Sequence, residues 1–88
     1  MEPRIELDPP VVSQGRSACV TVTFSTAPVG SVTIQVKDDT TNPPTTLASD
    51  SLDQAPYKLE FKPLNAGDHV VCVEWDGNEA EHRFDVES

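Results

Sequence analysis

The chain has 88 residues, of which 36% are hydrophobic and 24% are charged. This length and composition predict one small globular domain over residues 1–88. Fifteen Asp and Glu residues against six Lys and Arg residues give a net charge of −9. Binding to nucleic acid or to an anionic membrane requires clustered Lys and Arg, so the composition argues against both partners. A strongly negative surface also favours a soluble monomer.

The N-terminal sequence does not have the pattern of a secretory signal. Met1–Arg4 lacks both the basic segment and the apolar segment of such a signal. No apolar run in the chain approaches the ~20 residues of a membrane-spanning helix. Two explanations stay open: a cytoplasmic protein, or a module of a longer extracellular or cell-surface chain with a start Met added.

Apolar and polar residues alternate with a period of two along nearly the whole chain, which is the pattern of β-strands. Ile5 and Leu7 belong to the first predicted strand, which Asp8-Pro9-Pro10 interrupts before Val11-Val12. Proline cannot donate a hydrogen bond to a ladder, so this strand is expected at a sheet edge. The next two predicted strands follow turns and point these residues inward: Ala18, Val20, Val22 and Phe24, then Val32, Ile34 and Val36.

The alternation weakens between Lys37 and Asp53. Residues 38–44 form a predicted polar loop, and only Leu47 and Leu52 suggest short pairing at a sheet edge. An Asp-Gly pair at positions 76–77 is a strong signal for a β-hairpin. The remaining predicted strands are Tyr57–Phe61, His69–Trp75 and about Glu81–Val86.

These elements predict an all-β fold of about seven strands without a helix, arranged as an antiparallel sandwich. Each layer turns its alternating apolar residues toward the other layer. The predicted core is Val20, Val22, Phe24, Val32, Ile34, Val36, Tyr57, Leu59, Phe61, Val71, Val73, Trp75, Phe84 and Val86.

Two stretches resemble known immunoglobulin-like domains. Leu7–Ala18, leading into Val20–Phe24, resembles the opening of bacterial surface immunoglobulin-like repeats. Ala66–Gly77, together with Phe84–Val86, is similar to the final hairpin of filamin-type early-set domains, although His82-Arg83 stands where those domains have Ser-Pro. The resemblance implies an immunoglobulin-like antiparallel β-sandwich. These motifs specify a fold and not a ligand.

The two cysteines lie on the second and sixth predicted strands, as the inter-sheet disulfide of antibody domains would require. If Val20 points inward, Cys19 points outward, and Cys72 points outward between Val71 and Val73. The two strands belong to opposite sheets, so the two sulfurs are too far apart to form a bridge. We therefore predict two free thiols.

No catalytic, cofactor-binding or metal-binding site is predicted. His69 and Cys72 project to opposite faces of one strand, and adding His82 still falls short of the four ligands of a closed zinc site. We expect a partly buried His69 and an exposed His82. The sequence has no nucleophile-elbow serine and no glycine-rich phosphate loop, so it does not support catalysis.

Loop carboxylates offer the oxygen ligands that calcium prefers. Their spacing does not match that of a calcium-binding loop, so we expect solvated acids. The candidates are Asp38, Asp39, Asp50, Asp53, Asp76, Asn78 and Glu79.

Trp75 is the single tryptophan, and its alternation with Val71 and Val73 predicts a core position. The stretch Leu64–Gly77 also resembles the closing hairpin of glycogen-binding sandwich modules. An exposed Trp75 or Tyr57 would give a platform for a sugar ring. The chain lacks the other exposed tryptophans of those modules.

The sequence therefore favours a non-catalytic structural or protein-interaction module, one domain of a larger surface, secreted or virion-associated protein. A carbohydrate-binding accessory module and a stand-alone cytoplasmic protein remain as alternatives. Partner proteins or neighbouring domains are expected. Residues 37–53 would add a strand to a partner or present loop groups, or would be a plain flexible connection.

Overall fold

A computed structural model of the chain describes residues 3–88, so Met1 and Glu2 of the N-terminal segment interpreted above lie outside it. Within this range the chain forms eight strands in two sheets and no helix, which confirms the all-β prediction. Accordingly, no helix of membrane-spanning length and apolarity occurs within residues 3–88. The strands are β1 (Arg4–Asp8), β2 (Val12–Ser13), β3 (Ala18–Thr23), β4 (Val32–Asp38), β5 (Thr45–Leu52), β6 (Tyr57–Phe61), β7 (Gly67–Trp75) and β8 (Asn78–Glu87).

The strands divide into a three-stranded sheet of order β1-β3-β6 and a five-stranded sheet of order β2-β8-β7-β4-β5. Neighbouring strands run antiparallel, except that β2 runs parallel to β8. The segment Pro9-Pro10 lies where the chain passes from one sheet to the other. The predicted edge position of the first strand and its interruption by proline are both confirmed.

One apolar cluster joins the inner faces of the two sheets. Its centre is the alternating valines and isoleucine of β3, β4 and β7, none of them more than 2% exposed. Burying each such side chain contributes about 1.5–3 kcal/mol relative to leaving it in water. The buried members are Val12, Ala18, Val20, Val22, Val32, Ile34, Val36, Tyr57, Phe61, Val71, Val73 and Val86.

The core differs from the prediction where strands end or lie at an edge. Leu59 is on edge strand β6, and Phe24 and Trp75 lie at the ends of strands, so all three are only partly buried. Phe84 is partly buried as well, on β8, which the two-residue strand β2 covers over only part of its length. The predicted core list also omits Val12, Val70 and Ala18, which are buried, although Ala18 was expected to point inward.

Strand β5 is the largest departure from the prediction. It has eight residues and pairs with β4 along its length, where only short pairing around Leu47 and Leu52 was expected. Most of its side chains are exposed because it is the edge of its sheet. An edge strand of this kind lacks the apolar alternation by which half-buried strands are recognised. With the short strand β2, the total is eight strands and not about seven.

Candidate functional site

Three connections meet at one end of the molecule, which we call the loop end: residues 24–31 (β3 to β4), 53–56 (β5 to β6) and 76–77 (β7 to β8). The strand registers bring them together, because Val32 at the start of β4 lies opposite Leu52 and Trp75 at the ends of β5 and β7. In the other sheet, Val22 near the end of β3 lies opposite Tyr57 at the start of β6. Loops that are distant in sequence therefore form one surface.

Asp76 ties the first of these loops to the β7–β8 hairpin. Asp76 and Gly77 have φ angles of +45° and +78°, as a two-residue hairpin turn requires, so the Asp-Gly hairpin prediction is confirmed. The Asp76 carboxylate accepts hydrogen bonds from the backbone N–H groups of Val29 and Gly30, each at 2.9 Å. These two hydrogen bonds hold the pKa of Asp76 below its usual value. The loop is thus fixed near its tip.

An apolar groove of about 520 Å³, which we call the loop groove, lies at this end. Its walls come from residues 21–24, from Ala27 and Pro28, and from residues 53–57. Phe24 and Tyr57 both line it, and their rings meet edge to face with centroids 5.6 Å apart. The lining is mostly apolar. The volume falls within the range of about 300–1,000 Å³ that is usual for ligand sites, so the groove is large enough for one or two side chains of a partner.

A smaller pocket of about 270 Å³ lies between the same loop and the β7–β8 hairpin. Trp75 lines this pocket, and its ring contacts Phe24 with centroids 5.3 Å apart. Trp75 lies opposite buried Val32, so it faces inward as predicted, but it is only partly buried. Tyr57 is 8% exposed and offers little surface on which a sugar could stack.

The loop end is acidic. Its three loops contain Asp53 and Asp76 and no Lys or Arg. Glu74 and Glu79, on either side of the hairpin turn, are exposed. Asp53 lines the loop groove and accepts a hydrogen bond from Ser31 Oγ at 2.7 Å, which links two of the loops. The surface therefore combines an apolar groove with a negatively charged rim.

A buried polar cluster occupies the opposite end of the molecule, and sequence reasoning missed it. The sequence places Asp38 in a solvated loop, whereas the structure places it at the end of β4 with 1% exposure. Its carboxylate accepts hydrogen bonds from the backbone N–H and hydroxyl of Thr40 and from Asn65 Nδ2, the last at 2.7 Å. Burial alone would raise the pKa of Asp38, but these hydrogen bonds and nearby His69 together lower it.

His69 belongs to this cluster and is fully buried, not partly buried as expected. Its Nδ1 lies 2.9 Å from the carbonyl oxygen of Gly67 and donates to it, because a carbonyl only accepts. Its Nε2 has no hydrogen-bond partner among the described residues and lies 3.7 Å from Asp38 Oδ1. Phe84 packs against the ring, with centroids 5.6 Å apart. The His69–Asp38 pair is thus enclosed by protein, away from any substrate in solvent.

The two cysteines are free thiols, as predicted. Cys19 is on β3 and Cys72 on β7, in opposite sheets, and both are half-buried. Burial, together with the carboxylate of Glu81, raises the pKa of the Cys72 thiol. A thiol with a raised pKa is a poor nucleophile at neutral pH.

The zinc and calcium candidates are dispersed. Exposed His82 lies opposite Val71, and Cys72 lies on the face of β7 opposite to that of His69. Within residues 3–88, no three His, Cys, Asp or Glu side chains are grouped so that they could hold a metal ion. The calcium candidates lie at one end (Asp38, Asp39), along β5 (Asp50) and at the loop end (Asp53, Asp76, Asn78, Glu79).

No protein-family model matches this sequence, and no curated protein sequence matches it. Among solved structures, the chain is similar to Pseudomonas fluorescens alkylpurine DNA glycosylase AlkC bound to DNA containing an abasic site analog, with 16% sequence identity and a TM-score of 0.48. The similarity covers 97% of this chain and 29% of that one. A likeness at this level carries no argument about family or activity.

Proposed function

We propose that this chain is a non-catalytic protein-interaction module that binds a segment of a partner protein in the loop groove. The observation that carries the proposal is the apolar groove of about 520 Å³ at the loop end. Loops presented by a sheet scaffold are common sites of recognition. The proposal also includes the setting of the module, which is one domain of a larger surface, secreted or virion-associated protein of the bacterial immunoglobulin-like kind.

An immunoglobulin-like arrangement of the strands belongs to the same proposal. One sheet contains β3 and β6, and the other contains β4, β7 and β8, which is the division between strands B and E and strands C, F and G in that fold. The loops 24–31 and 76–77 then correspond to two of the three loops that form the binding surface of antibody variable domains. This correspondence supports a binding role for the loop end.

The free edge of β5 is less suited to a partner strand than the loop end is. Asp50 lies opposite buried Ile34, so its carboxylate points to the inner side of the sheet at the edge. The register also shifts between Val36 and Lys37, where β5 has one extra residue, Leu47. Inward-pointing charges and bulges are the devices by which edge strands avoid pairing with other chains. Within residues 37–53, the free edge of β5 is therefore not our preferred binding surface, whereas Asp53 belongs to the loop groove.

The non-catalytic part of the proposal has two supports. His69 and Asp38 resemble a catalytic pair only by residue type, because both are at most 1% exposed. The raised pKa of the Cys72 thiol opposes its use as a nucleophile. Neither group fits a reaction with a substrate from solvent.

Selection from a random display library of twelve-residue peptides tests the proposal. We expect enriched peptides to shift the backbone amide signals of residues 21–27, residues 53–55 and Tyr57 in NMR spectra of the labelled protein. Ala55→Arg, which places a long charged side chain at the groove wall, should abolish binding. Thr46→Arg, an exposed change on β5, is the matched control and should leave binding intact.

Three results would contradict the proposal. One is the absence of any enriched peptide, and another is a set of shifts that follows β5 and is sensitive to Thr46→Arg. The third is binding of oligosaccharides with a change in Trp75 fluorescence. That result would favour the carbohydrate-binding alternative, which the position of Trp75 in the smaller pocket supports.

The stand-alone cytoplasmic alternative draws support from the two free thiols, which suit a reducing compartment.

A further inference from the structure

We infer that the occupant of the loop groove is a positively charged segment of a partner protein that inserts one bulky apolar side chain between Lys or Arg residues. This inference rests on the proposed function and adds the chemistry of the partner. It combines the apolar lining of the groove with the sign of the charges around it.

The groove itself selects for an apolar side chain. Half-buried Phe24 and Pro28 and exposed Pro56 line it, together with the small exposed part of Tyr57. A Leu, Phe or Pro side chain of the partner would remove this surface from water, at about 25 cal/mol per Å² of apolar area buried. The apolar lining therefore supplies attraction but no preference for charge.

The rim supplies the preference for charge. Asp53 is exposed and lines the groove, while its hydrogen bond from Ser31 fixes its position. Asp76 carries a second negative charge, on the side of residues 24–31 that faces the β7–β8 hairpin. No Lys or Arg occurs in the three loops, so a basic segment would meet attraction and an acidic one repulsion.

Within residues 3–88, two cationic side chains lie near this end, on the outer strands of the three-stranded sheet. Arg4 is opposite Thr23, and its Nε lies 3.2 Å from Glu6 Oε1, so its charge is offset locally. Lys58 is opposite Thr21, which lines the groove. Lys58 is thus the nearby cation expected to oppose a basic partner.

The groove is largely formed before any partner arrives. Asp53 links residues 53–56 to Ser31, and Asp76 holds Val29 and Gly30. A surface fixed in this way loses little conformational entropy on binding. Charge and shape are therefore both presented in the free protein.

The test uses the library-selected peptides that map to the groove. We expect them to be enriched in Lys and Arg next to a Leu, Phe or Pro residue. Replacing several of their basic residues with Gln should weaken binding about fivefold or more. Raising the salt concentration should weaken binding of the unsubstituted basic peptides, because salt screens the attraction between charges. Calorimetry or fluorescence anisotropy gives the dissociation constants.

Protein variants of equal net charge separate a local effect from general attraction to an acidic protein. Asp53→Asn should weaken binding about two- to fivefold. Asp85→Asn, an exposed change on β8 outside the groove lining, should change it little, and Lys58→Gln should strengthen it. Groove-binding peptides without basic residues, or equal effects of the two Asp variants, would overturn this inference and leave the proposed function standing. The absence of any groove-binding peptide would overturn both.

Discussion

At the scale of single residues, the most informative position is the buried pair formed by Asp38 and His69. A buried carboxylate is stable only when its oxygens accept hydrogen bonds, and Thr40 and Asn65 provide them. The same contacts join the end of β4 to the turn after it and to the connection between β6 and β7. The pair therefore stabilises the end of the molecule opposite the loop groove.

Removal of this carboxylate should destabilise the fold. Asp38→Ala leaves the amides of Thr40 and Asn65 without their acceptor, and we expect the free energy of unfolding to fall by about 1–3 kcal/mol. Asp39→Ala is the matched control, because Asp39 pairs with Arg83 near the surface at 2.9 Å and should cost about 0–1 kcal/mol. Urea denaturation measures both. Equal costs would show that burial of Asp38 does not matter.

The contribution of Asp38 to folding stability depends on pH with a defined sign. Because the pKa of Asp38 is lower in the folded chain, its stabilising contribution is present above the unfolded value of about 3.9 and is lost as the pH falls through the folded value. Denaturation curves should therefore show less loss of stability below about pH 4 in Asp38→Ala than in the wild type. An identical acid dependence would contradict this assignment.

The burial directions of single residues were largely predictable from sequence. Val20, Ile34 and Val73 face inward because a strand alternates its side chains, and that period is visible locally. The burial of Asp38 and His69 was not predictable, because it depends on Asn65 and Thr40 meeting them through tertiary structure. The ring contacts of Phe24 with Tyr57 and Trp75 were not predictable either, because they join segments that are distant in the sequence.

At the scale of elements, β5 shows why an edge strand is difficult to predict from the sequence. Four of its exposed residues are threonines or serines, namely Thr45, Thr46, Ser49 and Ser51. One sheet neighbour, β4, supplies all its pairing. Within residues 3–88, the outer edge of β5 presents backbone N–H and C=O groups without a partner strand. Such an edge can pair with a second copy of the chain unless some feature prevents it.

Asp50 provides part of that protection. Asp50→Val should allow two copies to associate through their β5 edges, because the inward-pointing charge is gone and a β-branched residue favours a strand. Ser49→Val is the matched control, since Ser49 lies opposite Gln35 on the outer face of the sheet. Sedimentation velocity should show a dimer of Asp50→Val and a monomer of Ser49→Val. A monomeric Asp50→Val protein, or equal association of both variants, would contradict this role.

At the scale of the whole molecule, the division of the strands between two sheets creates the loop end. The chain reverses so that β3, β5 and β7 all finish where β4, β6 and β8 begin. The all-β class and most strands followed from periodicity, but the groove did not. It requires residues 24–28 and 53–57 to be neighbours, and no local pattern encodes that proximity.

Nuclear Overhauser contacts in the free protein test this arrangement most directly. We predict contacts of the Phe24 ring with both Tyr57 and Trp75, and backbone contacts that pair Val22 with Tyr57 and Val32 with Trp75. A ladder of backbone contacts between β5 and β6, or a Phe24 ring remote from Tyr57, would place the loops differently. In that case the groove and the binding role assigned to it would both be wrong.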